Sequence, residues 1–376
     1  MSRQEDLILR DLVAEEKRHW VRVTKVCNNN CLFCHDTGNQ DGTSIAYEEI
    51  VKELKSGFLG GAKRVIISGG EPTLHPDVVK IISQAKKIGY THVQMISNGR
   101  MFAYDDFAEK LKKAGLDEVT VSLHSHNKQI LEEIIGVKGV YEQTMKGLLN
   151  VIAHNLIVSI DIVVTKLNYK TLSQTLNFFI KLGVYEFDIL YLVPFGQAWH
   201  NRKKLFFNYG GAKKYLDKAW EFSKIEGVHL WTNRWPARNL ENYEWLIQSP
   251  HKLNDDVLGM RQQFLEYIKV GRLMSCHGER CDICYMNDFC KDLIKLRTIG
   301  VLGPKARAKC QRATTMQTGV AKFSPSLDIN EFTEFYIKNR YFVKSIRCQK
   351  CVMDKDCDGV HINEIRNKSF KIIKPF

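Results

Sequence analysis

No apolar run in this chain approaches the ~20 residues that a membrane-crossing helix needs. The longest stretches, Ile189 to Phe195 and Leu156 to Val164, the latter interrupted by Ser159 and Asp161, have the length of strands. No membrane span is expected. The first residues, MSRQEDLILRDLVAEEKRH, are charged throughout and lack both an uninterrupted apolar segment and a small-residue cleavage site, so a cytoplasmic protein is expected. A concentrated basic face is missing too. Lys plus Arg number 55 against 42 Asp plus Glu, a net charge of +13, but the excess is scattered as Lys-Lys pairs at 86–87, 112–113, 203–204 and 213–214, the pattern of solvated helix faces. With 44% hydrophobic and 26% charged residues, general disorder is excluded. The 376 residues suffice for a large domain with a smaller one.

Cysteine is absent from residues 35–275. Three of the eleven, Cys27, Cys31 and Cys34, precede that gap, and the other eight lie between Cys276 and Cys357. Thiols crowded in this way inside a cell point to metal or cluster ligation rather than to disulfides. Their uneven placement suggests a catalytic body followed by a cysteine-rich appendage.

Within the body, apolar runs of strand length alternate with segments of helical period, which predicts parallel strands joined by crossover helices. Six strands are expected at Trp20–Val26, Arg64–Ser68, His92–Ser97, Glu118–Leu123, Ile157–Val164 and Glu186–Val193. Helices are expected near 45–59, 77–88, 103–114, 140–153, 170–182 and 211–224. In the fifth, Leu172, Leu176, Phe179 and Ile180 fall on one face and Gly183 supplies a stop. Periodicity alone leaves a partial barrel and an open doubly wound sheet equally available, and both place chemistry at the C-terminal ends of the strands. The polar motifs collect there: three cysteines after the first strand, Gly69-Gly70-Glu71-Pro72 after the second, Ser97-Asn98-Gly99 after the third, and Ser122-Leu-His124-Ser after the fourth.

Cys27-Asn-Asn-Asn-Cys31-Leu-Phe-Cys34 offers three thiolates on one loop. Three thiolates hold three irons of a [4Fe-4S] cluster and leave the fourth iron open; a structural zinc site completed by the adjacent His35 is the alternative. The pattern resembles the signature of the radical S-adenosylmethionine (radical SAM) superfamily, CxxxCxΦC after the first strand of a partial (β/α)6 barrel of the TIM type, with Phe33 in the Φ place. The resemblance spans residues 20–225 and implies an α/β fold of that kind with a small Cys-rich C-terminal extension. It implies further that Gly69, Gly70 and Glu71 form the motif whose exposed backbone receives the methionyl amino group, a task that suits glycine, and that Ser97, Asn98 and Ser122 contact the cofactor's ribose and carboxylate. His124, Thr165, Lys166 and Asn168 stand at strand ends as weaker candidates. The implied chemistry is reductive cleavage of S-adenosylmethionine and hydrogen abstraction, fed by a low-potential electron donor such as flavodoxin or ferredoxin.

In the appendage, Gly271 leads by four residues to Cys276, followed by Cys281-Asp-Ile-Cys284 and Cys290; Cys348-Gln-Lys-Cys351 and Cys357 repeat the spacing CX2CX5C. Met286 and Met353 stand in register, which suggests an internal duplication. One economical partition gives Cys276, Cys281, Cys284 and Cys290 to one site and Cys310, Cys348, Cys351 and Cys357 to another, each able to hold a [4Fe-4S] cluster or tetrahedral zinc. The tail resembles the SPASM and twitch extensions that carry auxiliary clusters. It departs from them in having Ile294 and His361 at the fourth place of CX2CX5CX3C and no cysteine 9–15 residues before Gly271; His361 is a candidate ligand.

The expected organisation is a helical segment 1–19, a barrel 20–225, a linker or substrate-facing segment 226–275, and a cluster-binding domain 276–376. In 226–275, Trp231, Trp235, Tyr243 and Trp245 with Asn233, Arg234, Arg238 and Asn239 would serve either as a stacking platform or as packing between domains. The implied substrate is a peptide or protein, or a small biosynthetic intermediate. The alternatives are RNA modification, motivated by an isoelectric point near 9.1, and a non-catalytic iron–sulfur or zinc scaffold.

Overall fold

The computed structural model describes residues 16–305 and 319–375. Cys310 and residues 1–15 of the expected N-terminal segment lie outside the described residues. Two compact units emerge, one of residues 16–233 and the other beginning at Arg234.

The first unit is built on seven parallel strands: β1 (Arg18–Thr24), β2 (Arg64–Gly69), β3 (His92–Ser97), β4 (Glu118–Ser122), β5 (Ile157–Val164), β6 (Glu186–Tyr191) and β7 (His229–Asn233). Their order in the sheet is their order in the chain. A doubly wound sheet requires a reversal of strand order, so this alternative is excluded and the partial barrel stands. The helices are α1 (Tyr47–Leu59), α2 (Val78–Ile88), α3 (Asp105–Ala114), α4 (Lys128–Ile135), α5 (Val140–Ala153), α6 (Leu172–Lys181), two short turns α7 (Gly196–His200) and α8 (Arg202–Leu205), and α9 (Tyr209–Trp220). In α6 the buried residues are Leu172, Thr175, Leu176 and Phe179, the face read from the periodicity.

Besides the short turns α7 and α8, two elements were not expected. Strand β7 has the sequence HLWTN, in which only Leu230 and Thr232 are buried, so it lacks the continuous apolar run of a strand covered on both sides. Helix α4 has eight residues, begun by the Asn127 side chain accepting from the Ile130 N–H and ended by Gly136 in the left-handed region.

Alternation along the strands sends Val119, Val121, Ile160 and Ile162 to the fully buried outer face. The opposite face is polar. Near the N-terminal ends, Glu118 accepts from Arg64 at 3.0 Å and Gln94 at 2.9 Å and pairs with His92 at 2.8 Å, and Gln94 and Ser159 both bond Thr120 at 2.8 Å. Side chains from four strands, β2 to β5, thus close the lower half of the barrel with hydrogen-bonded polar groups. Higher on this face, register places Ser122, Asp161, Asp188 and Trp231 side by side on β4 to β7.

The second unit packs α10 (Leu253–Gly259), α11 (Arg261–Val270), α12 (Asn287–Ile299) and α13 (Ile329–Asn339) around one apolar cluster, with Phe289 in ring contact with Phe264, Phe332 and Tyr336. Two antiparallel pairs, β8 (Val301–Leu302) with β9 (Ala321–Lys322) and β10 (Phe342–Val343) with β11 (Val360–His361), and α14 (Ile362–Lys368) complete it. Arg340 clasps Asp292 through two buried bonds of 2.7 and 2.8 Å. Trp235 and Tyr243 are buried in this unit and Trp245 meets Tyr243 edge-on; they pack its interior and do not form a free stacking platform. The segment expected as a linker therefore divides, its β7 joining the sheet and its remainder folding with the second unit.

Candidate active site

The cysteine loop leaves β1 at the C-terminal end of the sheet and is fastened from several sides by hydrogen bonds to its backbone. Asn30 and Leu32 donate to the carbonyls of Ile135 and Ile134 at the end of α4, at 3.1 and 2.9 Å. Gly136 permits this approach, since a Cβ there would stand 2.4 Å from the Asn30 oxygen. Gln197 at the start of α7 donates to the Cys34 carbonyl at 2.8 Å, and the Asn201 side chain donates to Leu32 O at 3.0 Å. The Cys34 N–H returns to the Cys31 carbonyl at 3.0 Å, making the Cys-x-x-Cys stretch a tight turn. Phe33 is partly buried against Leu192, Ala198 and Leu205 and meets the His124 ring edge-on at 4.8 Å.

The Gly69-Gly70-Glu71 segment lies against this loop. Gly70 and Glu71 donate to Thr24 O and Val26 O at 2.8 and 2.7 Å, and a Cβ on Gly70 would stand 2.2 Å from Val26 O. Only glycine allows such close passage. The Glu71 side chain, 1% exposed, accepts from Thr73 N (3.1 Å), Thr73 Oγ1 (2.6 Å), Ser97 Oγ (2.8 Å) and Asn98 N (2.7 Å). Burial pushes this carboxyl upward and the four donated hydrogens pull it back. Glu71 is thereby a pin between the ends of β2 and β3.

Two of the residues that the resemblance offers as polar contacts to the cofactor, Ser97 and Asn98, are engaged with Glu71 and its surroundings. Glu71 is spent on protein donors. Ser97 Oγ donates to Glu71 and accepts from Gly99 N. The Asn98 amide donates to Asn28 Oδ1 at 2.7 Å and accepts from Arg100 N. Each of the three thus has protein partners that tie the strand ends together, as buried polar groups generally do. Ser122 differs: it is half-buried and its hydroxyl has no hydrogen-bond partner among the described residues. His124 is buried, accepts from Val163 N at 3.3 Å, and is pushed down to about 4 by burial, so it is neutral. Asn168 ties Thr165 to the carbonyls of His124 and Val163, while Lys166 is exposed.

Arg100 was not anticipated. It bonds Asn28 O, Asn29 Oδ1 and Gln143 Oε1, and its charge opposes the upward push that burial exerts on the Cys27 thiol. A basic residue one place beyond Ser-Asn-Gly was the available signal, indistinguishable in sequence from a surface charge.

The three loop thiols lie within electrostatic reach of one another. Among the described residues no three His, Cys, Asp or Glu side chains converge as one ion requires, and His35 is exposed. Ligands spread around a cluster suit a [4Fe-4S] group better than a Cys3His zinc site, so the loop and its glycine cradle fit that group.

A family model described as the Radical SAM superfamily matches residues 21–179. The chain carries a radical SAM domain. It is similar to proteins named probable GTP 3′,8-cyclase, with 39% identity over 178 residues to that of Sulfurisphaera tokodaii, covering 47% of this chain and 56% of that protein, and 35% over 184 residues to that of Sulfolobus acidocaldarius, covering 47% and 56%. The chain thus spans little more than half the length of the curated relatives it matches. Among solved structures, Streptococcus suis SuiB bound to precursor peptide SuiA shares the fold, with TM-score 0.50 and 15% identity over 62% of this chain and 52% of that one.

The ten described cysteines, three within the radical SAM domain and seven outside it, are all free thiols. Cys276, Cys281, Cys284 and Cys290 are brought together, each of Cys276, Cys284 and Cys290 feeling the charge of others in the set. The two CX2C segments fold alike. Cys281, Cys284 and Asn287 donate to the carbonyls of Gly278, Cys281 and Cys284, and Cys348, Cys351 and Asp354 donate in the same register to Ser345, Cys348 and Cys351. The duplication read from the spacing is therefore present in the backbone, and each turn repeats the one at Cys31–Cys34. His361 is engaged at both ring nitrogens, with Ile337 O at 2.9 Å and Asn363 N at 3.3 Å. It caps α14, with both ring nitrogens committed to protein partners. No helix among the described residues is long and apolar enough to cross a membrane.

Proposed function

We propose that this protein is a radical SAM enzyme whose barrel cluster is held by Cys27, Cys31 and Cys34 and whose tail holds an auxiliary cluster on Cys276, Cys281, Cys284 and Cys290, with a second centre on Cys348, Cys351, Cys357 and, outside the described residues, Cys310. The observation that carries the reading is the cysteine loop, fastened at the C-terminal end of a singly wound sheet against a glycine cradle. When bound, a [4Fe-4S] cluster with S-adenosylmethionine supplies a 5′-deoxyadenosyl radical by one-electron reduction of the sulfonium, and that radical removes a substrate hydrogen. The protein's own part is positional. Gly69 and Gly70 offer backbone, Ser122 offers a hydroxyl, Arg100 neutralises charge beside Cys27, and Glu71 fixes the spacing of the strand ends.

The substrate in this reading is a peptide or a small biosynthetic intermediate, received by the polar upper face of the barrel. The relatives' name raises a second reading, cyclisation of a purine nucleoside triphosphate. Asp161 and Asp188, adjacent on that face, do not favour the triphosphate itself there, since like charges repel. Anaerobic reconstitution followed by counting iron, sulfide and zinc, and by measuring 5′-deoxyadenosine with dithionite, tests the proposal. About eight or more irons in the wild type, about four fewer in the Cys27/Cys31/Cys34→Ala variant and no 5′-deoxyadenosine from that variant are expected. Unchanged cleavage by the variant would overturn it, and stimulation by GTP would select the second reading.

A further inference from the structure

Beside Cys284 the second unit carries a half-buried arrangement that the reaction outlined above leaves unused. Arg234, the first residue of the unit, holds a left-handed backbone with φ of 62°, a conformation that costs a non-glycine residue about 1 kcal/mol or more. Its N–H is fixed by Gln248 Oε1 at 3.0 Å. Its guanidinium donates to Asp256 Oδ1 from Nε at 3.0 Å and Nη2 at 2.9 Å and lies 6.0 Å from the Tyr285 ring centroid. The Tyr285 side chain lies close to both charges. Tyr285 directly follows Cys284, and Asp256 is near enough for its charge to act at Cys284.

Packing alone is a poor reason for such a group, because an ion pair taken largely out of water is often no better for stability than apolar side chains of the same volume. Its distinctive property is charge balance next to a metal ligand. A carboxylate alone there would disfavour adding an electron to a nearby cluster and a guanidinium alone would favour it, whereas together they nearly cancel.

We propose that Arg234, Asp256 and Tyr285 form a charge-balanced mount that sets the reduction potential of the iron–sulfur cluster on Cys276, Cys281, Cys284 and Cys290. They are positioning residues, and the inference rests on the auxiliary cluster of the proposed function. One unpaired charge at a separation on the order of 10 Å in a medium of effective dielectric ~20 shifts a reduction equilibrium roughly tenfold, about 59 mV for a one-electron couple.

The test is a potentiometric titration followed by electron paramagnetic resonance, made in full-length Cys27/Cys31/Cys34→Ala protein so that only tail clusters contribute, with the signal assigned by its loss in Cys281→Ala. Asp256→Asn should raise the potential by about that amount. Arg234→Gln should lower it, and the double variant should lie near the parent. Opposite signs distinguish charge balance from a merely structural role, which would damage the signal in the same way in both. Shifts of one sign, or none, would overturn the proposal. If Arg234→Gln loses its iron, Asp256→Asn decides, a rise supporting the mount and no rise refuting it. A parent tail that binds zinc and no iron would instead refute the auxiliary cluster itself.

Discussion

Replacing Glu71 by Gln keeps the size of the side chain and changes only what one of its two terminal atoms can do. Glu71 Oε2 accepts from the Asn98 N–H, and Oε1 accepts from the Thr73 N–H and from two hydroxyls. A glutamine must present its NH2 group to one side or the other. Facing Asn98, it sets donor against donor. Turned the other way, it frees both hydroxyls to rotate and accept, yet it still opposes the Thr73 N–H. Either orientation leaves at least one backbone N–H unsatisfied in a site that is 1% exposed, which costs about 1–3 kcal/mol, and the remaining bonds lose their charge assistance. The expected destabilisation of the barrel unit is therefore ~2–4 kcal/mol. Anaerobic urea denaturation of the apo protein, followed by circular dichroism at neutral pH, measures it as a lower midpoint with unchanged slope. Iron bound by the barrel loop should fall in parallel while tail iron is retained. A midpoint shift worth less than about 0.5 kcal/mol would show that the carboxylate is not the pin described.

Gly70→Ala should displace the Val26–Cys27 backbone, because its new Cβ would stand 2.2 Å from Val26 O; the expected cost is about 2–3 kcal/mol with loss of barrel iron, against a slight gain for the control Gly211→Ala, where a Cβ meets nothing within 4 Å. His124 is held down to about 4 from an ordinary value near 6.5 by burial. The unfolded chain binds the extra proton across that window, so wild-type stability falls as pH drops from about 6.5 toward 4, by at most ~3 kcal/mol. Unfolding midpoints at pH 5 and 7.5 should differ less in His124→Gln, and an equal difference would contradict the neutral, buried ring. In the second unit, Arg340→Met leaves the Asp292 carboxylate only the more distant Lys305, at 3.8 Å, and should cost ~2–4 kcal/mol, as read from the same denaturation curves.

The barrel was legible because apolar runs such as Val65–Ile67 are buried on both faces of a parallel strand and leave an unmistakable trace. Strand β7 left none, since two buried side chains in five residues look like a loop. The cysteines declared themselves by spacing. The polar residues around them did not, because sequence marks Glu71, Ser97 and Asn98 as polar groups at strand ends and is silent on whether they choose a ligand or each other. Arg100 and Arg234 were hidden for a related reason: a long cation is ordinarily a surface residue, and only the fold reveals which carboxylate, carbonyl or thiol lies within its reach. The aromatic segment was left open between stacking and packing, and its Trp235 and Tyr243 prove to be interior packing.

The three Cys-x-x-Cys turns enclose Leu-Phe, Asp-Ile and Gln-Lys, pairs with no chemistry in common. In each, the second cysteine's N–H closes onto the first cysteine's carbonyl, at 3.0, 3.2 and 2.9 Å. The hold on the sulfurs is therefore written in the main chain, and the two enclosed side chains are left at liberty to answer to their surroundings, as Phe33 does against His124. Such a turn can be copied along a chain and re-dressed for a new neighbourhood without disturbing where its thiols stand, which is how one short phrase comes to be spoken three times here in different words.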